Sequence, residues 1–232
     1  MIRIRIPVLA LMALAILLCG APAAASDEGI MSQPGFLAGH PDLRWRMLGQ
    51  EALERGRSDE AFNYFRRSAL YADKASQAAV ADMLWSGIGT SPNRPLAYAW
   101  IDLAAERGYE KLLIQRERFW AALTPDEQAR ALQMGESIYA RYGDDVAKPR
   151  MDRQLRRART QMTGSRVGHV GTMAITSALD LHGPNPVLNI GNLEATVDGS
   201  LYFADKYWDP AAYWIWQDAQ WNAATVASTE SP

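Results

Sequence analysis

Cysteine is almost absent: Cys19 is the single one in 232 residues, which excludes a disulfide-stapled scaffold. Histidine is nearly as scarce, with three residues. His40, His169 and His182 stand apart, without the His-x-x-x-His, Glu-x-x-His or cysteine-pair spacing a metal site needs, so no metal or other cofactor is expected. Neither charge sign dominates, because 24 Lys and Arg face 26 Asp and Glu for a net charge of −2. A whole-chain nucleic-acid binder is thereby disfavoured. Beyond residue 25 no apolar run is long enough to cross a bilayer. What is present, 22 % charged and 9 % aromatic residues, is the composition of a folded globular chain.

The first 25 residues read as a secretory signal peptide rather than as part of the fold. Arg3 and Arg5 form a basic start, residues 8–18 are unbroken apolar, and Ala23 to Ala25 offer a small-x-small cleavage pattern. Those apolar residues, at 1.5 Å each, span about half of a ~30 Å hydrocarbon core. Cleavage after Ala25 is expected, with a periplasmic or secreted product that is not an integral membrane protein. Lipidation at Cys19 is disfavoured, since bulky Leu18 precedes it. Residues 26–41, with Gly29, Pro34, Gly35, Gly39 and Pro41, read as an extended leader in which His40 is solvated.

From residue 42 the rhythm is helical. Asp42 is placed to cap a helix whose apolar side holds Leu43, Met47, Leu48, Ala52 and Leu53, and Gly56 ends it. Ser58 then starts a second helix lined by Ala61, Phe62, Phe65, Ala69 and Leu70. Trp45, Leu48, Gly49, Ala61 and Phe65, with Ala52 where Tyr is usual, resemble the tetratricopeptide repeat. Small residues at such positions let two helices approach while the large ones fill the gap.

The following stretch is more specific. Gly87-Ile88-Gly89, Ala97, Trp100, Ala104, Ala105 and Gly108 resemble the Sel-1-like repeat, a branch of the same superfamily with a Gly-x-Gly loop inside the helix pair. Thr90, Val80-Ala81, Leu84 and Ile101 depart from its pattern. At least one of Gly87 and Gly89 should need positive φ. Comparable positions recur at Leu48 and Val80 and at Ala61 and Ala97, so residues 42–110 read as two repeats.

Two repeats need a cap. Residues 111–162 supply it: apolar residues within 110–121, then Thr124-Pro125-Asp126-Glu127 opening a helix that runs to Gly143, the two forming a degenerate third hairpin. Between 148 and 166, Lys148, Arg150, Arg153, Arg156, Arg157, Arg159 and Arg166 face Asp152 alone. Met151, Leu155, Ala158 and Met162 at helical spacing make this an amphipathic cationic helix. Residues 163–232 are glycine-rich and then aromatic, with short strands expected at 170–175, 187–190, 193–197 and 201–203. An Asp209-Pro210 helix start should extend to about Asn222, and a frayed tail should follow. Tyr202, Phe203, Tyr207, Trp208, Tyr213, Trp214, Trp216 and Trp221 crowd this end.

No catalytic constellation emerges. Ser165 lacks the strand-to-helix elbow of a nucleophile, Gly164 to Gly171 lack a phosphate-loop context, and Glu194 with Asp198 is a common spacing. The fold expected is mainly α: a short antiparallel helix-hairpin solenoid, an αα-superhelix, with a small aromatic-rich mixed or irregular C-terminal segment. The repeat resemblance implies a non-catalytic protein-protein interaction module, or adaptor, in the cell envelope. It places Arg46, Gln50, Glu54, Asp82 and Trp85 on a concave partner-binding face, with Trp85 and Arg46 dominant. The alternative is a binder of peptidoglycan, lipopolysaccharide or another anionic envelope surface through the aromatics and the Arg-rich helix.

Overall fold

A computed structural model describes residues 27–31, 33–161, 173–174, 196–197 and 199–229. In chain order the elements are α1 (Asp27–Met31), α2 (Pro34–Gly39), α3 (Pro41–Glu54), α4 (Ser58–Ala69), α5 (Lys74–Ser86) and α6 (Arg94–Ala104). After a 3-10 turn at Ala105–Arg107 come α7 (Glu110–Ala122), α8 (Pro125–Tyr142), α9 (Asp144–Gln161), α10 (Gly199–Tyr202), α11 (Asp205–Trp208) and α12 (Pro210–Thr229). The only strands among the described residues are a two-residue antiparallel pair, Met173 opposite Val197 and Ala174 opposite Thr196. No described helix is long and apolar enough to cross a membrane. The signal segment, Cys19, Ser165, His169, His182, Glu194, Asp198 and the strand expected at 187–190 lie outside the described residues.

Helices α3 with α4 and α5 with α6 form two successive antiparallel hairpins, stacked in sequence order through α4 and α5. Gly49 sets the first crossing: a Cβ there would stand 2.6 Å from the Phe65 ring, so only glycine allows this approach. The Gly-x-Gly loop does the same between repeats. Gly87 has φ +73° and Gly89 φ +68°, and a Cβ on Gly89 would meet the Ser58 carbonyl oxygen at 2.1 Å. Asn93 then caps α6 by accepting from Leu96 N at 3.1 Å, with Pro95 in the first turn. Gly108, also at positive φ, closes the second pair. Phe65, Trp100, Ala97, Ala104 and Ala105 are buried in one core with Val80, Leu103 and Tyr142.

Several expectations are corrected. Asp42 is not a cap; α3 starts at Pro41, and Asp42 is fully buried inside it. Met47 and Leu53 are exposed, and Trp45 leaves the core to stack on Tyr64 at 5.7 Å between the Arg44 and Arg67 guanidiniums. Helix α8 starts where expected, with Thr124 and Glu127 forming a capping box, but lies chiefly along α6 rather than on α7. Its Tyr139 hydroxyl donates to Asp102 at 3.1 Å.

In place of an extended leader, Asp27–Met31 and Pro34–Gly39 form two short helices, and His40 is buried rather than solvated. They join a second core with α9 and α10 to α12. Phe36 packs edge-on to Tyr207 and Trp208, and Met151 and Leu155 of α9 are completely buried beside them. Residues 199–202 are helical, which replaces the strand expected at 201–203, and α12 continues through the expected tail to Thr229. From residue 199 the described C-terminal material is thus helical and its rings are mostly interior, while Met173–Ala174 and Thr196–Val197 lie within the strands expected at 170–175 and 193–197.

Candidate functional site

The five residues expected to share a concave face are not brought together as one free surface. Arg46 is held by Asp73 at 2.8 Å and lines a narrow cleft beneath α12 with Trp216, Gln217, Gln220 and Trp221. Asp82 accepts a hydrogen bond from Gln115, and Trp85 stacks on Phe119 at 4.0 Å with Arg94 over its ring. Helix α7 therefore half-covers Trp85 and holds Asp82 at its edge. Gln50, Glu54 and Asp82 are exposed.

The chain's own α12 reaches the first pair through polar bonds. Tyr213 donates to the Asp42 carboxylate, and Gln217 donates to the Tyr213 hydroxyl at 2.7 Å. The other Asp42 oxygen has no partner among the described residues. Burial, reinforced by the Asp73 charge, pushes the Asp42 carboxyl up to about 7. Two residues earlier, the His40 ring stacks on Phe36 at 3.9 Å and each of its nitrogens sits 2.8 Å from a carbonyl oxygen, of Phe36 and of Tyr207. Burial drives this imidazole down to about 4, against the two carbonyls that favour a proton on each nitrogen.

A second network ties the two cores. Lys74, fully buried, donates to Gln77, the Leu103 carbonyl and Glu106, and lies 3.0 Å from Asp144. Arg107 grips Asp144 with two bonds at 2.6 and 3.0 Å and donates to the Ala72 carbonyl. Burial would raise the Asp144 carboxyl, but Arg107 and Lys74 outweigh it and hold the group far below the carboxylate range. From α12, Trp214 lies under Arg107 and donates to Asp152 at 2.9 Å, while Tyr109 donates to Asp218. These charges are paired for structure. No group of three or more His, Cys, Asp or Glu side chains suited to a metal occurs among the described residues.

An open groove of about 540 Å³ lies on the side lined by α4, α6 and α8. Its floor is Leu84, Trp100 and Tyr142, all buried, with Phe62, Leu96 and Ile138 half-buried around them. Trp100, a residue of the repeat signature, meets Tyr142 with ring centroids 4.5 Å apart. Thr90, Ser91 and Pro92 of the Gly-x-Gly loop form one lip, and Ser137 and Arg141 of α8 the other. Arg66 stands at the α4 edge. None of the lining residues is acidic. The expected site missed this groove because α8 was read as the partner of α7. Arg66 and Arg141 each occupy the last turn of their helices, and only the docking of α8 along α6 makes them neighbours of one cavity.

The class these observations define is a stack of antiparallel helix hairpins capped by further helices. No protein-family model matches the chain, and no curated protein matches it. Among solved structures the chain is similar to c5321, a protective antigen present in uropathogenic Escherichia coli strains and displaying an SLR (Sel-1-like repeat) fold. Identity is 18 % and the TM-score 0.41, over 57 % of this chain and 27 % of that one. The match spans about a quarter of that protein's length.

Proposed function

We propose that this chain is a non-catalytic protein-interaction module, exported to the cell envelope by its first 25 residues, and that its partner docks in the groove between α4, α6 and α8. The observation that supports it most is the groove itself: an open, aromatic-floored cavity whose floor includes Trp100 of the repeat signature, while Arg46 and Trp85, the two residues expected to dominate the concave face, are engaged by Asp73 and by Phe119 of α7. An extended peptide can lay apolar side chains on such a floor and satisfy its backbone at a hydroxyl-lined lip. The rival glycan reading needs exposed rings, and Tyr202, Tyr207, Trp208, Tyr213 and Trp216 are buried.

A photo-crosslinking residue at Ser137, compared with one at Gln50, tests the reading in the full chain inside its own cell. A single protein captured from Ser137 and not from Gln50 is the expected result. Capture from Gln50 alone would return the site to the exposed part of α3. Sequencing the amino terminus of the recovered protein tests export, with Ser26 expected first.

A further inference from the structure

We infer that the groove's occupant is an acidic stretch of polypeptide, held by Arg66 and Arg141; this rests on the docking reading above and specifies its chemistry. Some described arginines pair with carboxylates, as Arg46 does with Asp73, Arg57 with Glu60 and Arg107 with Asp144, and others, such as Arg44 and Arg67, do not. What sets Arg66 and Arg141 apart is position: both line one cavity, and no residue of its lining is acidic.

Both guanidiniums are instead parked on rings at the rim, Arg66 over Phe62 at 5.7 Å and Arg141 over Tyr142 at 5.5 Å. Stacking of this kind restricts the side chain while leaving its N–H edge open to an incoming carboxylate. Arg150 of α9 adds a third cation at the same end, donating to the Leu70 carbonyl beyond α4 and to the Arg141 carbonyl at 3.5 Å. Helix C-termini attract cations, which accounts for arginines at these positions. It does not account for their lining a cavity with no acid in it.

The apolar floor chooses among anionic ligands. A phosphate polymer presents charge at every unit and would leave Leu84, Trp100 and Ile138 against charge. A peptide alternating acidic and apolar side chains satisfies the rim and the floor together. Thr90 and Ser91 then face its backbone amides and carbonyls.

The test uses the full chain and a fluorescein-labelled peptide alternating glutamate and leucine, read by anisotropy. Binding is expected to weaken as salt shortens the Debye length below ~10 Å, and to fall roughly tenfold or more in Arg66→Ala and in Arg141→Ala. The same peptide with lysine for glutamate should not bind. An Arg153→Ala, Arg156→Ala, Arg157→Ala variant on the opposite, exposed face of α9 should bind as the parent does. Both groove arginines are exposed, so unchanged circular dichroism is expected, and a Lys replacement at each should restore part of the affinity. Three results overturn the inference: equal affinity in the double alanine variant, competition by inorganic phosphate as effective as by unlabelled peptide, or binding lost only with the α9 variant. If crosslinking from Ser137 persists in the double alanine variant, docking in the groove stands and its acidic specificity falls. If crosslinking from Ser137 fails in the parent chain, the docking reading itself falls.

Discussion

At Gly89 one missing carbon holds two repeats together. A Cβ there would overlap the Ser58 carbonyl, and φ of +68° is strained for any other residue, so Gly89→Ala should lower stability by at least about 2 kcal/mol in a denaturant melt. A neutral result would mean that the loop reshapes freely. That glycine was legible from spacing alone, because a steric requirement on a local turn is written locally. Asp42 and His40 were not: their surroundings come from Tyr207 and Tyr213, far along the chain. Their titrations oppose each other. Asp42 holds its proton more tightly folded, at about 7, than unfolded at ~3.9, so its contribution is full at low pH and disappears as pH rises between those values. His40, at about 4 folded against ~6.5 unfolded, contributes above that range and loses its contribution as pH falls through it. Replacing Asp42 by Asn removes the first effect alone. Relative to the parent, D42N should gain about 2–3 kcal/mol between pH 4.5 and 6.5, measured by urea unfolding at each pH. A pH-independent difference would remove Asp42 as the titrating group.

Among the elements, α9 shows both what periodicity reveals and what it hides. The buried side, Met151, Leu155 and Ala158, was evident from helical spacing, but the helix begins at Asp144 and carries Pro149 within it. A proline usually announces a boundary because it lacks the N–H of the ladder, and here it sits exposed in the second turn. Leu155 is completely buried between α2, α11 and α12. Leu155→Ala should cost about 2–5 kcal/mol, seen as a shifted unfolding midpoint; a shift within error would show that this side of α9 is loosely packed. The short helices α1, α2, α10 and α11 were illegible for a different reason. At four to six residues they offer no full period of apolar positions, and isolated helices of that size do not hold without tertiary contacts. Aromatic runs such as Tyr202-Phe203 therefore read as strand, and Pro34 and Pro41 read as breaks although both open helices.

For the whole molecule, two cores share a charged seam made of Lys74, Glu106, Arg107 and Asp144. Asp144→Asn would leave Lys74 and Arg107 buried with one fewer counter-charge. A loss of roughly 3 kcal/mol is expected, because an uncompensated buried charge costs more than an intact pair contributes. Tryptophan fluorescence and helix circular dichroism should then no longer melt together, and coincident transitions would argue against a seam that couples the cores. The hairpin array was legible because its contacts join neighbours in sequence; the second core was not, since it pairs residues 30–43 with residues 202–216. That pairing sets an order of events. The array can zip up from nearby segments on its own, whereas the second core must wait for a long stretch of chain to come back on itself. It closes last during folding, and a pull applied between residues 30 and 216 would open it first, like a buckle, while the stacked hairpins behind it still hold.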